Sequence, residues 1–163
     1  MRGAVDGAGT MRHLVRAASE SDLDEIALMC ALLWPAASAE EHASAVRATL
    51  STGRSGTLPG VILVACEESG VLSGFIEVGL RSHADGCDPA QPVGFVEGWF
   101  VHEEFRKRGV GGELMRAAED WARSQGCVEM ASDTWISSEG SQKAHAALGF
   151  EVVDRCVHFR KNL

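Results

Sequence analysis

The sequence predicts an α/β fold with a mixed sheet, and three observations carry that expectation. Apolar stretches of strand period and of helix period alternate along the chain. Three strand-like stretches between residues 61 and 101 follow one another with only turns and loops between them, which a pure strand–helix–strand array would not show. The 163 residues suit one domain with one core and leave too little for a second.

The elements follow in order. Residues 1–12 are Gly-rich and polar and lack the apolar region of a secretory signal; they are expected to form a flexible tail, with Met11 an alternative start, and residues 13–163 the domain. "HLVRAA" reads as a short strand. The next stretch sets Leu23, Ile26, Ala27, Cys30 and Leu33 at helical spacing behind a capping box of Ser21 and Asp24. A second helix begins at a box of Ser38 and Glu41, with Ala39, Ala43, Val46 and Leu50 as its buried stripe. "STGRSGTLPG" reads as loop. Strands are expected over 61–68, 71–82 and 93–101, the first two joined by a turn at Ser69-Gly70. A helix over 111–126 buries Leu114, Ala117, Ala118 and Trp121. The strand "CVEMASDTW", a helix around "SQKAHAAL" and a strand pair "FEVVD" and "RCVHFRK" complete the chain.

A net charge of -8 disfavours a nucleic-acid surface and suits a cationic substrate drawn in by long-range attraction. No apolar run approaches the roughly 18 to 20 residues needed to span a bilayer, so no membrane partner is expected. The five cysteines are odd in number and at least 21 residues apart, which gives neither metal-ligand spacing nor a disulfide framework. A cytoplasmic protein without a metal is the expectation, its thiols buried or neutral.

Against this acidic background, Arg106, Lys107, Arg108, Gly109, Val110, Gly111 and Gly112 stand between a strand and an amphipathic helix. Glycines there permit a tight turn whose N–H groups converge, and the helix start adds unpaired donors and a favourable dipole. Such a turn suits a pyrophosphate. The spacing fits neither the Walker loop nor the dinucleotide fingerprint. A plain strand-to-helix turn with solvated cations would carry the same residues.

Glu77 and Glu97 interrupt apolar strands, where burial without partners would cost several kcal/mol. They either face a water-filled cleft or pair with a cation such as Arg81. Asp133 falls at a strand end, where α/β sites are usually built. Ser138, Ser141 and His145 share one helix face, and His145 either moves a proton or sits idle on the helix surface. Trp34 walls a cleft or closes the core.

The pattern Arg106-x-x-Gly109-x-Gly111, preceded by "EGWFV" and followed by "SQKAHAALGF", resembles the acetyl-CoA signature of the GNAT-superfamily N-acetyltransferases from residue 13 to the end. Within that superfamily "PVGFVEGWFV", "ASDT" and the C-terminal stretch look most like bacterial aminoglycoside 6'-N-acetyltransferases. The resemblance implies a GNAT fold, a mostly antiparallel sheet with splayed central strands flanked by helices. It implies acetyl-CoA as co-substrate and no metal. The pyrophosphate would lie on residues 106 to 112, the pantetheine arm on the backbone of Phe100 and Val101, with further cofactor contacts from Ser138 and His145. Trp34, Glu77, Glu97 and Asp133 would hold an aminoglycoside or other polycationic amine, Asp133 would take its proton, and His145, where most of the family has Tyr, would protonate the leaving thiolate. A homodimer is implied too, with "RCVHFRK" able to exchange between subunits. The chain departs from the family pattern at Ala84, Gly86 and Ser138. Other readings are acetylation of a polyamine, an amino sugar or a protein N-terminus, or a non-catalytic acyl-CoA-binding module.

Overall fold

The computed structural model describes residues 13–163; the expected N-terminal tail lies outside the described residues. The elements run β1 (Leu14–Ala17), α1 (Leu23–Leu33), α2 (Ala39–Thr52), β2 (Arg54–Ser55), β3 (Leu58–Cys66), β4 (Leu72–Arg81), β5 (Val93–Val101), α3 (Val110–Ser124), β6 (Met130–Ser132) and α4 (Glu139–Ala147). The sheet order is β1-β3-β4-β5-β6, with β2 added as a hairpin on β3. Every pairing is antiparallel except that of β5 with β6.

Why the central strands are apolar along most of their length follows from what covers them. Along β3, Ile62, Val64 and Cys66 point to one face and pack with Leu23, Ile26, Met29 and Cys30 of α1 and Val46 of α2. Leu63 and Ala65 point to the other and pack with Val110, Leu114, Met115 and Ala118 of α3. Both faces are buried, so the strands read as continuous hydrophobic runs and not as an alternating pattern. Phe75, fully buried on β4, lies in the first of these cores. Replacing such a side chain by Ala typically costs about 3–5 kcal/mol.

Four expectations change. The first capping box is formed by Ser19 and Asp22, not Ser21 and Asp24: the Ser19 N–H donates to Asp22 Oδ2 at 2.8 Å, and Arg16 of β1 donates to both Asp22 oxygens at 2.7 and 2.9 Å. That guanidinium ties β1 to the start of α1, and it holds the Asp22 carboxyl well below the usual carboxylate range. Along α2 the buried positions are His42, Val46 and Thr49, while Ala39 is exposed. The stripe rotates because His42 and Thr49 find polar partners inside, the Trp34 carbonyl and Glu77. The expected loop 51–60 holds β2 and the start of β3. Finally, residues 151–163 form no strand and are exposed throughout. A strand needs a ladder partner, and the last strand of the sheet, β6, is only three residues long.

Candidate active site

Because β5 and β6 pair only through Gly94–Met130, Phe95–Ala131 and Val96–Ser132, they part company after Val96. The strand expected over 127 to 135 is cut to three residues for this reason. Beyond the last pair, residues 97–101 stay hydrogen-bonded to β4 on one side and lose their strand neighbour on the other. A V-shaped opening results, with Phe100 and Val101 along one arm and Asp133 just past the vertex on the other. The bulge between Glu77 and Val78, opposite Glu97, sharpens the local twist.

At the open end the chain turns into α3. Lys107 and Gly109 both take left-handed backbone angles, φ 61° and 89°, and fold residues 106–109 into a tight turn. The first intrahelical bond is donated by Glu113 to the Gly109 carbonyl, at 3.0 Å, so the N–H groups of Val110, Gly111 and Gly112 lack helical acceptors. Gly111 is there for closeness: a Cβ at that position would meet the Trp99 ring at 3.0 Å. Arg106 turns back and donates from Nε to the Val101 carbonyl at 2.9 Å, which fixes the turn to the end of β5. Lys107 and Arg108 are exposed. The turn is therefore an anion cradle at a helix start, beside the opening in the sheet.

The carboxylates divide in role. Glu97 pairs with Arg81, accepting from Nε at 3.1 Å and Nη2 at 2.8 Å. Among the described residues Glu77 has no cation beside it; its Oε1 accepts from Thr49 Oγ1 and Ser55 Oγ, each at 3.2 Å. Burial pushes the Glu77 carboxyl up from its ordinary value, the two hydroxyls oppose that shift, and the nearby Glu97 charge adds to it. Ser55, Arg81 and Glu97 also line an open cleft of about 360 Å³ between the β2 hairpin and the ends of β4 and β5. Arg81 is the cation the sequence offers to these carboxylates, whereas Thr49 and Ser55 are not marked there as site residues; Thr49 carries a usable signal, three residues past Val46 on the inner face of α2.

Trp34 lies on the sheet at Gly98, where a Cβ would collide with its ring, and it stacks on His42. It is half-buried beside the first core, so it both closes packing and flanks the bulge that carries Glu97. Asp133 is exposed. Ser138 caps α4 without a side-chain bond. His145 is half-buried. Its ring is edge-on to Trp99 and Phe150, with centroids 5.3 Å from each, and both nitrogens have polar neighbours at 2.8 Å. Of the thiols, Cys30 is pushed up to about 12 by burial, while Cys156 is exposed. Among the described residues no helix is long and apolar enough to cross a membrane.

The acetyltransferase (GNAT) family matches residues 26–150. The chain is 39% identical over 150 residues to aminoglycoside N(6')-acetyltransferase type 1 of Klebsiella aerogenes, covering 92% of this chain and 97% of that protein. It is 36% identical over 143 residues to the enzyme of the same name from Serratia marcescens, covering 87% and 94%. Among solved structures it is similar to AAC(6')-Iy in complex with the bisubstrate analogue CoA-S-monomethyl-acetylneamine, with TM-score 0.82 and 33% identity over 93% of this chain and 99% of that one. It is also similar to aminoglycoside 6'-N-acetyltransferase AAC(6')-Ih from Acinetobacter baumannii, with TM-score 0.81 and 29% identity over 93% and 99%. With the parted strands and the glycine turn at α3 inside the matched span, the chain belongs to the acetyltransferase (GNAT) family.

Proposed function

We propose that this protein transfers the acetyl group of acetyl-CoA to a primary amine of a polycationic small molecule, the 6'-amino group of an aminoglycoside, in the cytoplasm. The observation that carries the reading is the conjunction of an open sheet edge, an anion cradle at its mouth and, on the neighbouring strand, Glu77, a carboxyl without a cation among the described residues. The names of the relatives agree with it: enzymes from several bacteria are aminoglycoside N(6')-acetyltransferases, and one neighbouring structure holds a CoA–aminoglycoside conjugate.

Acetyl-CoA fits the residues present. Val110, Gly111 and Gly112 offer three N–H donors at the helix start, suited to a pyrophosphate, with Lys107 and Arg108 adding positive charge. Phe100 and Val101 offer backbone groups to the pantetheine arm on the open side of β5. The indole Nε1 of Trp99 is buried beside Gly111 and has no hydrogen-bond partner among the described residues, which suits an acceptor on the bound cofactor. When bound, acetyl-CoA supplies an activated acyl group as a thioester.

On the other side of the opening the acidic groups attract and orient the amine. Glu77 holds an ammonium group away from the reacting one, Glu97 contributes less because Arg81 already engages it, and Trp34 walls their side of the sheet. Asp133, past the vertex, takes the first proton so that the nitrogen lone pair is free to attack. His145 then serves the departing thiolate. Transfer is direct, with no covalent enzyme intermediate and no metal.

The free cysteines suit a reducing compartment. The exposed C-terminal segment suits a homodimer: Val157 and Phe159 alternate with polar residues, are 75% and 91% exposed and form no strand, while the sheet of the chain ends in the short β6. A second copy of the chain offers each of them a partner strand.

Thiol release from acetyl-CoA, measured with a kanamycin-type aminoglycoside and with spermidine as a control, tests this function. Turnover confined to the aminoglycoside supports it; CoA binding without turnover of any amine would leave an acyl-CoA-binding module instead.

A further inference from the structure

Ser132 is the last residue of β6 to pair with β5, and therefore stands at the vertex where the strands part. Its Oγ lies 2.8 Å from His145 Nε2. The other ring nitrogen, Nδ1, lies 2.8 Å from the Ser141 carbonyl oxygen. A carbonyl can only accept, so Nδ1 carries the proton. In neutral imidazole the Nε2 lone pair then accepts from the Ser132 hydroxyl. Trp99 and Phe150, edge-on to the ring, hold it in this orientation. The result is a hydroxyl at the vertex with a proton acceptor directly behind it. His145 has both nitrogens occupied, and its Nε2 meets the vertex through that hydroxyl.

We propose that Ser132 is a catalytic residue of the acetyl transfer, its hydroxyl relaying the amine's second proton to His145 and back to the CoA sulfur. This rests on the acetyl-transfer reading above. The neutral amine forms a bond to the thioester carbonyl carbon, giving an adduct with a charged nitrogen and an oxyanion. A proton leaves that nitrogen for Ser132 Oγ as the Ser132 hydroxyl proton moves to His145 Nε2. The adduct collapses, the C–S bond breaks, and the electron pair stays on sulfur. The thiolate takes a proton from Ser132, which recovers one from Nε2. Amide and CoA thiol are formed, and both side chains return to their starting states.

The charges around the pair leave this path to the two residues. On α4, Glu139 and Lys143 face each other at 3.9 Å on the exposed side. The residues of β5 and of the segment after α4 that touch the ring are Trp99 and Phe150, both uncharged. Asp133 follows Ser132 in the chain and is exposed. From α3, Arg116 reaches the place where Gly112 meets Leu148, and Glu113 sits in the first turn.

The test uses the full chain with acetyl-CoA and a kanamycin-type aminoglycoside, comparing wild type, Ser132→Ala, His145→Ala, the double variant and Ser132→Thr. The relay predicts that each single Ala variant loses about tenfold in kcat with both KM values within twofold, since a thiolate needs little help to leave. It predicts that the double variant loses no more than either single one, that Ser132→Thr retains most activity, and that a curved proton inventory becomes linear in Ser132→Ala. Nitrogen NMR of the imidazole, which needs no turnover, should show the Nδ1–H form in wild type and a displaced Nε2 signal in Ser132→Ala. A kcat of wild-type size in Ser132→Ala, losses that multiply in the double variant, or an Nε2–H form of the ring would each overturn the relay while wild type still turns over. No turnover by wild type with any amine would overturn the acetyl-transfer reading, and the relay with it.

Discussion

Arg81 holds Glu97 through both carboxylate oxygens, at 3.1 and 2.8 Å, and lies flat on the Phe95 ring, 3.3 Å from its centroid. The pair engages one of the two strand carboxylates and leaves Glu77, among the described residues, as the one without a cation. The account predicts unequal effects. Glu77→Gln should raise the aminoglycoside KM about tenfold, or about 1.4 kcal/mol, and blunt its salt dependence. Glu97→Gln should do less, because Arg81 already offsets that charge. The acetyl-CoA KM should be unchanged in both.

The raised carboxyl of Glu77 also ties binding to stability. A carboxyl whose folded value lies above its unfolded one binds more protons when folded, so its contribution to stability falls as pH rises through that window. At pH 8 Glu77→Gln should therefore melt at or above the wild-type temperature while binding substrate less well. A thermal melt beside the KM measurement checks this; a marked loss of Tm would make Glu77 a structural residue.

Asp22 has the opposite sign. Its folded value is depressed by Arg16, so the stability it lends is present above its unfolded value of about 4 and lost as pH falls further. Acid titration by circular dichroism should show wild type weakening below about pH 4, with Asp22→Asn less stable at neutral pH and flatter in that range.

For the cradle, Gly109 and Gly111 make separable demands. A side chain at Gly109 meets no atom within 4 Å, but the left-handed φ of 89° makes it strained by about 1–2 kcal/mol. Gly109→Ala should raise the acetyl-CoA KM more than the amine KM. Gly111→Val should do so more strongly and also lower Tm, because Trp99 is in the way.

Asp133 and His145 separate by pH. Aliphatic amines are mostly protonated at neutrality, so Asp133→Asn should lose kcat/KM steeply at pH 6 and partly recover by pH 9. A pH-independent loss confined to the aminoglycoside KM would make Asp133 a binding carboxylate only.

Much of this architecture was legible before any coordinates. The glycine turn was marked by charge and spacing, and Glu77 and Glu97 by their intrusion into apolar strands. What could not be read was which residue each would meet. Arg81 is four residues from Glu77 and 16 from Glu97 in the sequence, yet across the paired strands it takes Glu97. Ser132 was hidden because a serine beside Asp133 carries no signal until α4 brings His145 over it, 13 residues later. The C-terminal strands were expected from period alone, and period does not say whether a partner strand lies in the same chain. If a second copy supplies it, Val157→Asp with Phe159→Asp should convert a dimer to a monomer in sedimentation velocity. A wild-type monomer would remove the dimer from the account.

The central claim, acetyl transfer to an aminoglycoside 6'-amine, is tested most directly by product analysis. The full chain is incubated with acetyl-CoA and either kanamycin A, which has a 6'-amine, or an analogue with a 6'-hydroxyl, and the products are examined by mass spectrometry and NMR. The account predicts one acetyl group on the 6'-nitrogen of the first and no acetylated product from the second. Acetylation at another nitrogen, or equal acetylation of both compounds, would contradict it.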